Sequence, residues 1–412
     1  MLKAVKKLLG LVSLGACCVT LAPTGAAAHG EKALEPFIRM RTIQWYDVKW
    51  SQEKLNVNDE LVITGKFHVA EDWPRGVPKP DATYLNVSSP GPVFIRTERY
   101  LNGQSSVSSA ALKLGGDYEF KIALKARVPG RYHLHPFFNL HDAGAVMGPG
   151  QWLEVAGDPA AFANQVKTLS GDMIDMETYG LANGVAWHAF WIALGSAWLL
   201  WWVRRPLFLP RYKMLQLGQE TALITPLDRK IAFGILAGVP LFVFGAQAMT
   251  DRQYPYAIPL QAGMDQIEPL PAAVNASVKI KVQRAEFNVP ARSTTIFAQI
   301  HNASDQPVQI GEFATANVRF LNPDVDPSRK VDPDNLVAPQ GLSLDSAVPI
   351  QPGETRTVRI TATDSLWQRE RLDGLIRDAD SRLGGLLFFY DANGQRHIAS
   401  VSTAVIPKFN ER

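Results

Sequence analysis

Cysteine is nearly absent from this chain of 412 residues, and its absence excludes several kinds of site. The two cysteines, Cys17 and Cys18, are neighbours in an apolar N-terminal segment, and none follows them. The remainder of the chain therefore cannot form a disulfide, a thiolate nucleophile or a cysteine-ligated metal site. A site for a soft metal must be built from histidine, of which the chain has 8.

The chain also lacks an excess of either charge. Lys and Arg total 42 against 39 Asp and Glu, and the three lysines of residues 1–28 account for the whole difference. Because the remaining residues carry no net formal charge, we expect no global attraction to nucleic acid and no nucleic-acid partner. The sequence also contains no P-loop, no dinucleotide fingerprint and no pattern of a serine or cysteine triad.

Residues 1–28 have the pattern of a secretory signal peptide. A basic start is followed by an apolar run, and Ala26 and Ala28 occupy the small-residue positions before a cleavage site. Cleavage after Ala28 would make His29 the mature N-terminus. The alternative is that the stretch LGAC is a lipoprotein box, in which case Cys17 would be the first mature residue.

Short alternating runs on both sides of a central apolar region indicate two β domains. The run DYEFKIALKA, for example, has an apolar residue at every second position, which is the period of a half-buried strand. We predict a β-sandwich or barrel over residues 29–175 and a second β domain over residues 270–412.

Two central segments, residues 185–203 and 231–249, are apolar and long enough to cross a membrane as helices. The first contains one ionisable group, His188, for which an interfacial anchor, a contact with a partner helix and a proton or metal role all remain open. Residues 204–230 are rich in Arg and Lys, so the positive-inside rule predicts that this loop is cytoplasmic. Both β domains are then predicted to be periplasmic, in agreement with the signal peptide.

The run GRYHLHPF predicts two histidines on one face of a strand. His133 and His135 are separated by one residue, so both side chains point the same way, although the pair alone fits two exposed strand histidines equally well. As a mature N-terminal residue, His29 would add its α-amine and Nδ1, and the amine pKa of about 8 allows a metal to displace the proton near neutral pH. This all-nitrogen set suits Cu(II), with zinc as the next choice.

Two further residues near this set have weaker patterns. Glu31 is close enough in sequence to His29 to orient a ligand or a bound water, or it is a solvated carboxylate. His68 has no histidine near it in sequence, which favours a structural role for it.

Seven motifs together resemble the B subunit of the copper membrane monooxygenases, the particulate methane monooxygenase and ammonia monooxygenase family: HGEK, RMRTIQWYDVKW, GPVFIR, GRYHLHPF, GPGQW, IPLQAG and GGLLFF. The resemblance runs from residue 29 to about residue 409. It implies a mainly β protein with two periplasmic cupredoxin-like domains joined by two transmembrane helices. It also implies a complex with subunits A and C, a trimer of heterotrimers in a bacterial inner or intracytoplasmic membrane, in contact with lipid.

The resemblance places the family's copper site in this subunit on His29 with its amine, His133 and His135. Some members have a second copper site, formed by a histidine within RTIxWYD and the histidine that matches His68. Gln44 occupies the first of those positions here, so we do not expect the second site in this chain.

The leading hypothesis is therefore the copper-binding B subunit of a membrane monooxygenase that hydroxylates methane, ammonia or another short alkane with O2. The resemblance allows the catalytic centre to lie in a partner subunit, so no catalytic residue is assigned. The alternative is a membrane-tethered periplasmic protein that binds or delivers copper without catalysis. A polysaccharide monooxygenase also uses a mature N-terminal histidine, but two membrane spans count against that class.

Overall fold

The computed structural model describes residues 34–168, 170–203, 205, 208–255, 263–325 and 336–410. The predicted signal peptide, the cysteines, His29 and Glu31 lie outside these residues. The chain divides into two compact units, one formed by the described residues up to Ala156 and from Gly263 onward, the other by those of Gly157–Ala262.

The first unit opens with a short helix and two packed sheets. The elements are α1 (Pro36–Arg39), β1 (Ile43–Trp50), β2 (Lys54–Asn56), β3 (Glu60–Val69), β4 (Thr83–Ser88), β5 (Phe94–Leu101), β6 (Gln104–Ser105), β7 (Ser109–Ala111), β8 (Asp117–Ala126), β9 (Gly130–Leu140), β10 (Gly144–Met147) and β11 (Gln151–Ala156). One sheet has the order β1-β3-β8-β5-β6. The other has the order β7-β4-β9-β11-β2, with β10 beside β9 and β14 (Met264–Gln266) parallel to β7 at its edge.

The alternation seen in the sequence produces the core between these two sheets. In β8 the predicted inward face is buried throughout, and each of its five side chains is at most 3% exposed: Tyr118, Phe120, Ile122, Leu124 and Ala126. These side chains share one core cluster with residues of β9 and β11 from the opposite sheet, such as Leu134 and Leu153. Burial of this apolar area is the main force that holds the two sheets together.

A second β region completes the same unit. Its strands are β15 (Val278–Asn288), β16 (Ser293–Asn302), β17 (Val308–Thr315), β18 (Val318–Leu321), β19 (Val337–Ala338), β20 (Leu342–Leu344), β21 (Thr355–Thr363), β22 (Arg382–Asp391) and β23 (Arg396–Lys408). The helix α5 (Leu366–Arg369) and a 3-10 helix (Leu372–Arg377) precede β22.

The order of these strands is β19-β18-β17-β22-β23-β15-β16-β21-β20. The long strand β23 links the two halves of this sheet. Its first part pairs antiparallel with β22 and its last part, from Val405 to Lys408, pairs parallel with β15. In the enclosed core, Trp367 stacks on Phe320 and meets Phe287 edge to face.

The second unit holds the two long apolar helices. It contains a 3-10 helix (Pro159–Ala161), β12 (Gln165–Lys167), β13 (Met173–Asp175), α2 (Leu181–Val203), α3 (Phe208–Gln216), a 3-10 helix (Glu220–Ala222) and α4 (Pro226–Gln253). Helices α2 and α4 are long and apolar enough to cross a membrane, and the predicted spans 185–203 and 231–249 lie inside them. The prediction of a mainly β chain with two candidate membrane helices is confirmed.

Helix α4 begins with a capping box. The Thr225 hydroxyl accepts from the Asp228 backbone N–H, and the Asp228 carboxylate accepts from the Thr225 backbone N–H. Asp228 also accepts from the Trp201 indole, 2.8 Å away, and pairs with Arg205. One buried carboxylate thereby joins the start of α4 to the end of α2.

Candidate metal site

Strand β9 brings the two predicted histidines of GRYHLHPF together. Their side chains lie on the same face, and the imidazole centroids of His133 and His135 are 4.5 Å apart with planes at 80°. The strand lies between β4 and β11, so its neighbours on both sides fix where these side chains stand.

The His135 imidazole is oriented by the backbone. Its Nδ1 lies 2.8 Å from the Gly148 carbonyl oxygen, and because a carbonyl only accepts, Nδ1 must donate. The Nε2 atom is then the nitrogen that can bind a metal. Burial lowers the pKa of His135, and the charges of His133 and Arg39 lower it further against the opposing effect of the Gly148 carbonyl. A neutral imidazole is the form that ligates a metal ion.

The His133 imidazole is exposed and stacks on Trp152. The ring centroids are 4.8 Å apart and the planes are inclined by 27°. The two residues face each other directly in the antiparallel pairing of β9 with β11. The guanidinium carbon of Arg131 lies 4.5 Å from the centre of the same indole.

The motif GPGQW, residues 148–152, forms the rest of the frame around the pair. The Gly148 N–H donates to the Pro136 carbonyl oxygen over 2.7 Å, which holds the turn against β9. A Cβ on Gly150 would overlap Cε1 of His135, so no larger residue fits there without moving the imidazole. Sequence reasoning missed Gly148, Gly150 and Trp152 as site residues, although the motif that contains them stood out.

The described start of the chain lies beside the same sheet. The Leu34 backbone N–H donates to the Ala145 carbonyl oxygen over 3.0 Å, and Ala145 belongs to β10, the neighbour of β9. Among the described residues, no group of three or more His, Cys, Asp or Glu side chains could hold a metal ion. The predicted third ligand, His29, and the candidate orienting residue, Glu31, lie outside them.

His68 has the contacts of a structural histidine. It is 3% exposed, and its Nδ1 lies 2.9 Å from Oδ1 of Asp117, which is also buried. The other Asp117 oxygen accepts from the backbone N–H groups of Ala273 and Val274. Gln44 lies directly opposite His68 across β1 and β3, so the two positions of the second copper site are neighbours in this fold.

The Gln44 amide forms a hydrogen bond with the backbone. Its Nε2 donates to the Met40 carbonyl oxygen over 2.8 Å, which leaves Oε1 as the only side-chain atom directed elsewhere. A neutral amide oxygen is a weak ligand for copper compared with imidazole nitrogen. The expectation that this position holds no second copper site therefore stays a prediction with a physical reason.

Sequence comparison agrees with the motifs. The family model of monooxygenase B-subunit proteins matches residues 30–409. The particulate methane monooxygenase alpha subunit of Methylococcus capsulatus strain Bath is 45% identical over 402 residues, which cover 97% of each chain.

Two solved structures match the chain at low identity and low TM-score. The cupredoxin domain of amoB from Nitrosocaldus yellowstonii is 19% identical with a TM-score of 0.24, and the match covers 29% of this chain and 90% of that domain. The D0-D1 domain of intimin is 8% identical with a TM-score of 0.18, covering 87% of this chain and 98% of that one. The family match and the full-length relative are decisive: the chain belongs to the family of monooxygenase B subunits.

Proposed function

We propose that the chain is the copper-binding subunit of a membrane monooxygenase that hydroxylates methane or ammonia with O2. The relative of 45% identity is named as a subunit of particulate methane monooxygenase, which favours methane. Several members of one family can differ in substrate when the substrate pocket lies in a partner, so ammonia remains the other candidate.

The observation that carries the copper proposal is the geometry of His133 and His135. Two imidazoles lie 4.5 Å apart on one strand face, and the Gly148 carbonyl holds His135 in the tautomer whose Nε2 is available. The described residues thus fit a nitrogen-ligated ion, and the part of the chain after Cys18 offers no thiolate that would favour another soft metal. Bound copper would supply one-electron redox chemistry toward O2, which amino-acid side chains cannot.

The mature N-terminus is proposed to complete the ligand set with His29 and its α-amine. Leu34 is held beside Ala145, and Ala145 is three residues from Gly148, a distance of about 10 Å along a strand. The five residue-to-residue steps from His29 to Leu34 can span up to about 17 Å, so His29 has sufficient reach. Glu31 is proposed to orient a ligand or a bound water within this segment.

We further propose that the β regions are periplasmic and that α2 and α4 anchor the chain among subunits A and C in a trimer of heterotrimers. The exposed apolar side chains of both helices support contact with lipid and partner helices. The Arg and Lys residues between the spans support a cytoplasmic loop.

The deciding experiment is metal analysis of the purified native complex that carries His133→Ala and His135→Ala together. We expect loss of the copper bound by this subunit, whereas His301→Ala, a strand histidine bonded to Thr355 in the other β region, should retain it. Unchanged copper in the double variant would refute the site assignment. The measured mass of the mature chain should correspond to a first residue at His29. A mass that corresponds to a first residue at Cys17 would exclude the His29 amine as a ligand.

Assaying the same preparation with methane and with ammonia identifies the substrate. Copurification with two very hydrophobic chains supports the subunit assignment. A chain that is stable, copper-loaded and functional without them would instead support the alternative of a copper-delivery protein.

A further inference from the structure

We propose that Trp152 is a positioning residue of the metal site and that its indole holds the imidazole plane of His133 for ligation. This inference rests on the proposed copper site at His133 and His135. It concerns a contact that neither histidine spacing nor the family description assigns.

The rings of Trp152 and His135 both contact the His133 ring, each at a defined angle. The Trp152 indole covers its face at 4.8 Å and 27°, while the His135 ring meets it nearly at a right angle at 4.5 Å. Trp152 occupies this place because β11 pairs with β9 in a register that sets it directly opposite His133. Directly opposite residues of an antiparallel pair are the closest side-chain neighbours across a sheet.

The two histidines are oriented by different means. His135 is half-buried and fixed by the backbone, through the Gly148 carbonyl and the close approach of Gly150. His133 is exposed, and the stack with Trp152 lies against one face of its ring and favours the rotamer that keeps this contact. Two imidazoles can bind one ion only when both rings are in place at once. The orientation of the more exposed ring, His133, therefore limits the copper affinity.

Arg131 fixes the indole in turn. Its guanidinium carbon lies 4.5 Å from the centre of the Trp152 ring system, within the range of a cation–π contact. Arg131 and His133 lie on the same face of β9, two residues apart, so one strand contributes the guanidinium and the imidazole that contact the indole. Trp152 is 38% exposed, and its partial exposure makes this lateral contact important for its orientation.

The test uses the purified mature chain, beginning at His29, in detergent, with Cu(II) as the probe. Copper affinity is measured by competition with a chelator, and ligand geometry by the electron paramagnetic resonance spectrum of the bound Cu(II). Residues that orient metal ligands change affinity by about 10- to 100-fold when removed, so we expect a loss of that size in Trp152→Leu with altered hyperfine splitting.

Two further variants serve as controls for the loss of the indole. Trp152→Phe keeps a flat ring over His133 and should stay within about threefold of the wild-type affinity with an unchanged spectrum. Phe297→Leu is the matched control, because Phe297 is an aromatic residue on a strand of the other β region with Arg284 4.0 Å from its ring centre. It should leave both readouts unchanged.

The outcomes are distinct. Wild-type affinity and spectrum in Trp152→Leu would overturn the positioning role, as would a Trp152→Phe variant that loses copper to the same extent as Trp152→Leu. If Trp152→Leu does not fold, Arg131→Gln is the second test, with a smaller change in the same spectrum expected and an unchanged spectrum contradicting the proposal. Copper retained by the His133→Ala, His135→Ala variant would refute the proposed site itself, whatever Trp152 does.

Discussion

Arg396 on β23 forms a two-point ion pair with Asp47 on β1, with Nη1 2.7 Å from Oδ1 and Nη2 in contact with Oδ2. The pairing register of β1 shifts between Tyr46 and Lys49, and Asp47 has a φ of 54°, so a bulge turns its carboxylate toward the second β region. Arg382 makes a similar contact with Asp72 over 2.6 Å. Charged contacts thus join the two β regions within the first unit.

We expect Asp47→Asn to lower the free energy of unfolding by about 1–2 kcal/mol, since both partners are only partly buried and solvent screens part of the interaction. The amide retains the size of the side chain but loses the charge that matches Arg396. Thermal unfolding of the full-length chain in detergent measures the change. Asp81→Asn, at an exposed position, is the control, and equal melting temperatures for the two variants would contradict this prediction.

The same contacts make stability depend on acid pH. Burial alone would raise the pKa of Asp47, but the hydrogen bond and charge of Arg396, with nearby lysines, lower it overall. In Asp117, the hydrogen bond and charge of His68, with two backbone N–H groups, likewise outweigh burial and lower the pKa. A carboxyl whose folded-state pKa is depressed stabilises the fold above its unfolded pKa, about 3.9, and loses that contribution as the pH falls through the folded value.

We therefore expect the part of the melting temperature that depends on Asp47 and Asp117 to be nearly constant from pH 7 to about 5 and to fall progressively below that. Asp47→Asn should flatten part of this fall because one of the titrating groups is absent. The measurement is a series of melts between neutral pH and about pH 3.5, below the unfolded pKa. Identical pH profiles for the wild type and Asp47→Asn would show that Asp47 is not one of the responsible groups.

The elements that sequence predicted are those whose signal is local. The alternation in β8 specifies a buried face within a single strand. The length and apolar composition of the two central runs are enough by themselves to predict two membrane helices. The common face of His133 and His135 follows from strand periodicity alone, so it needed no knowledge of neighbouring strands. For these features the local pattern and the final environment agree.

The features that sequence did not predict depend on pairing between distant segments. Nothing local indicates that Trp152 faces His133, because that requires the register of β11 against β9. The contact of Gly148 with His135 needs the turn after β10 to fold back on β9. Asp47 and Arg396 are 349 positions apart, and only the topology brings them together. The hairpin of β12 and β13, formed by residues 165–167 and 173–175, belongs to the unit of α2 and α4.

We expect Gly150→Ala to weaken copper binding by about tenfold or more while the melting temperature changes little. The added methyl would overlap Cε1 of His135 and lie 2.7 Å from both its ring nitrogens, so the imidazole must swing away from the Gly148 carbonyl. A side-chain ring moves more easily than backbone, which keeps the cost to the fold small. Copper affinity and thermal unfolding of the same preparation measure the two effects.

Gly76→Ala is the matched control for that variant. No atom lies within 4 Å of a Cβ built on Gly76, so neither copper affinity nor stability should change. If Gly150→Ala binds copper as tightly as Gly76→Ala, the His135 orientation set by the Gly148 carbonyl is not the one that binds the metal.

We expect His68→Ala to retain the copper of this subunit and to lower the free energy of unfolding by about 3 kcal/mol. The variant leaves Asp117 buried without the imidazole that donates to Oδ1, although Oδ2 keeps its two backbone donors. His141→Ala removes an exposed histidine beside Asp142 and should change neither property. Metal analysis and thermal unfolding of both variants test the role of His68. Loss of copper from His68→Ala alone would mean that Gln44 does not prevent metal binding at this position. Intact copper with a lowered melting temperature would assign His68 a role in the stability of the fold.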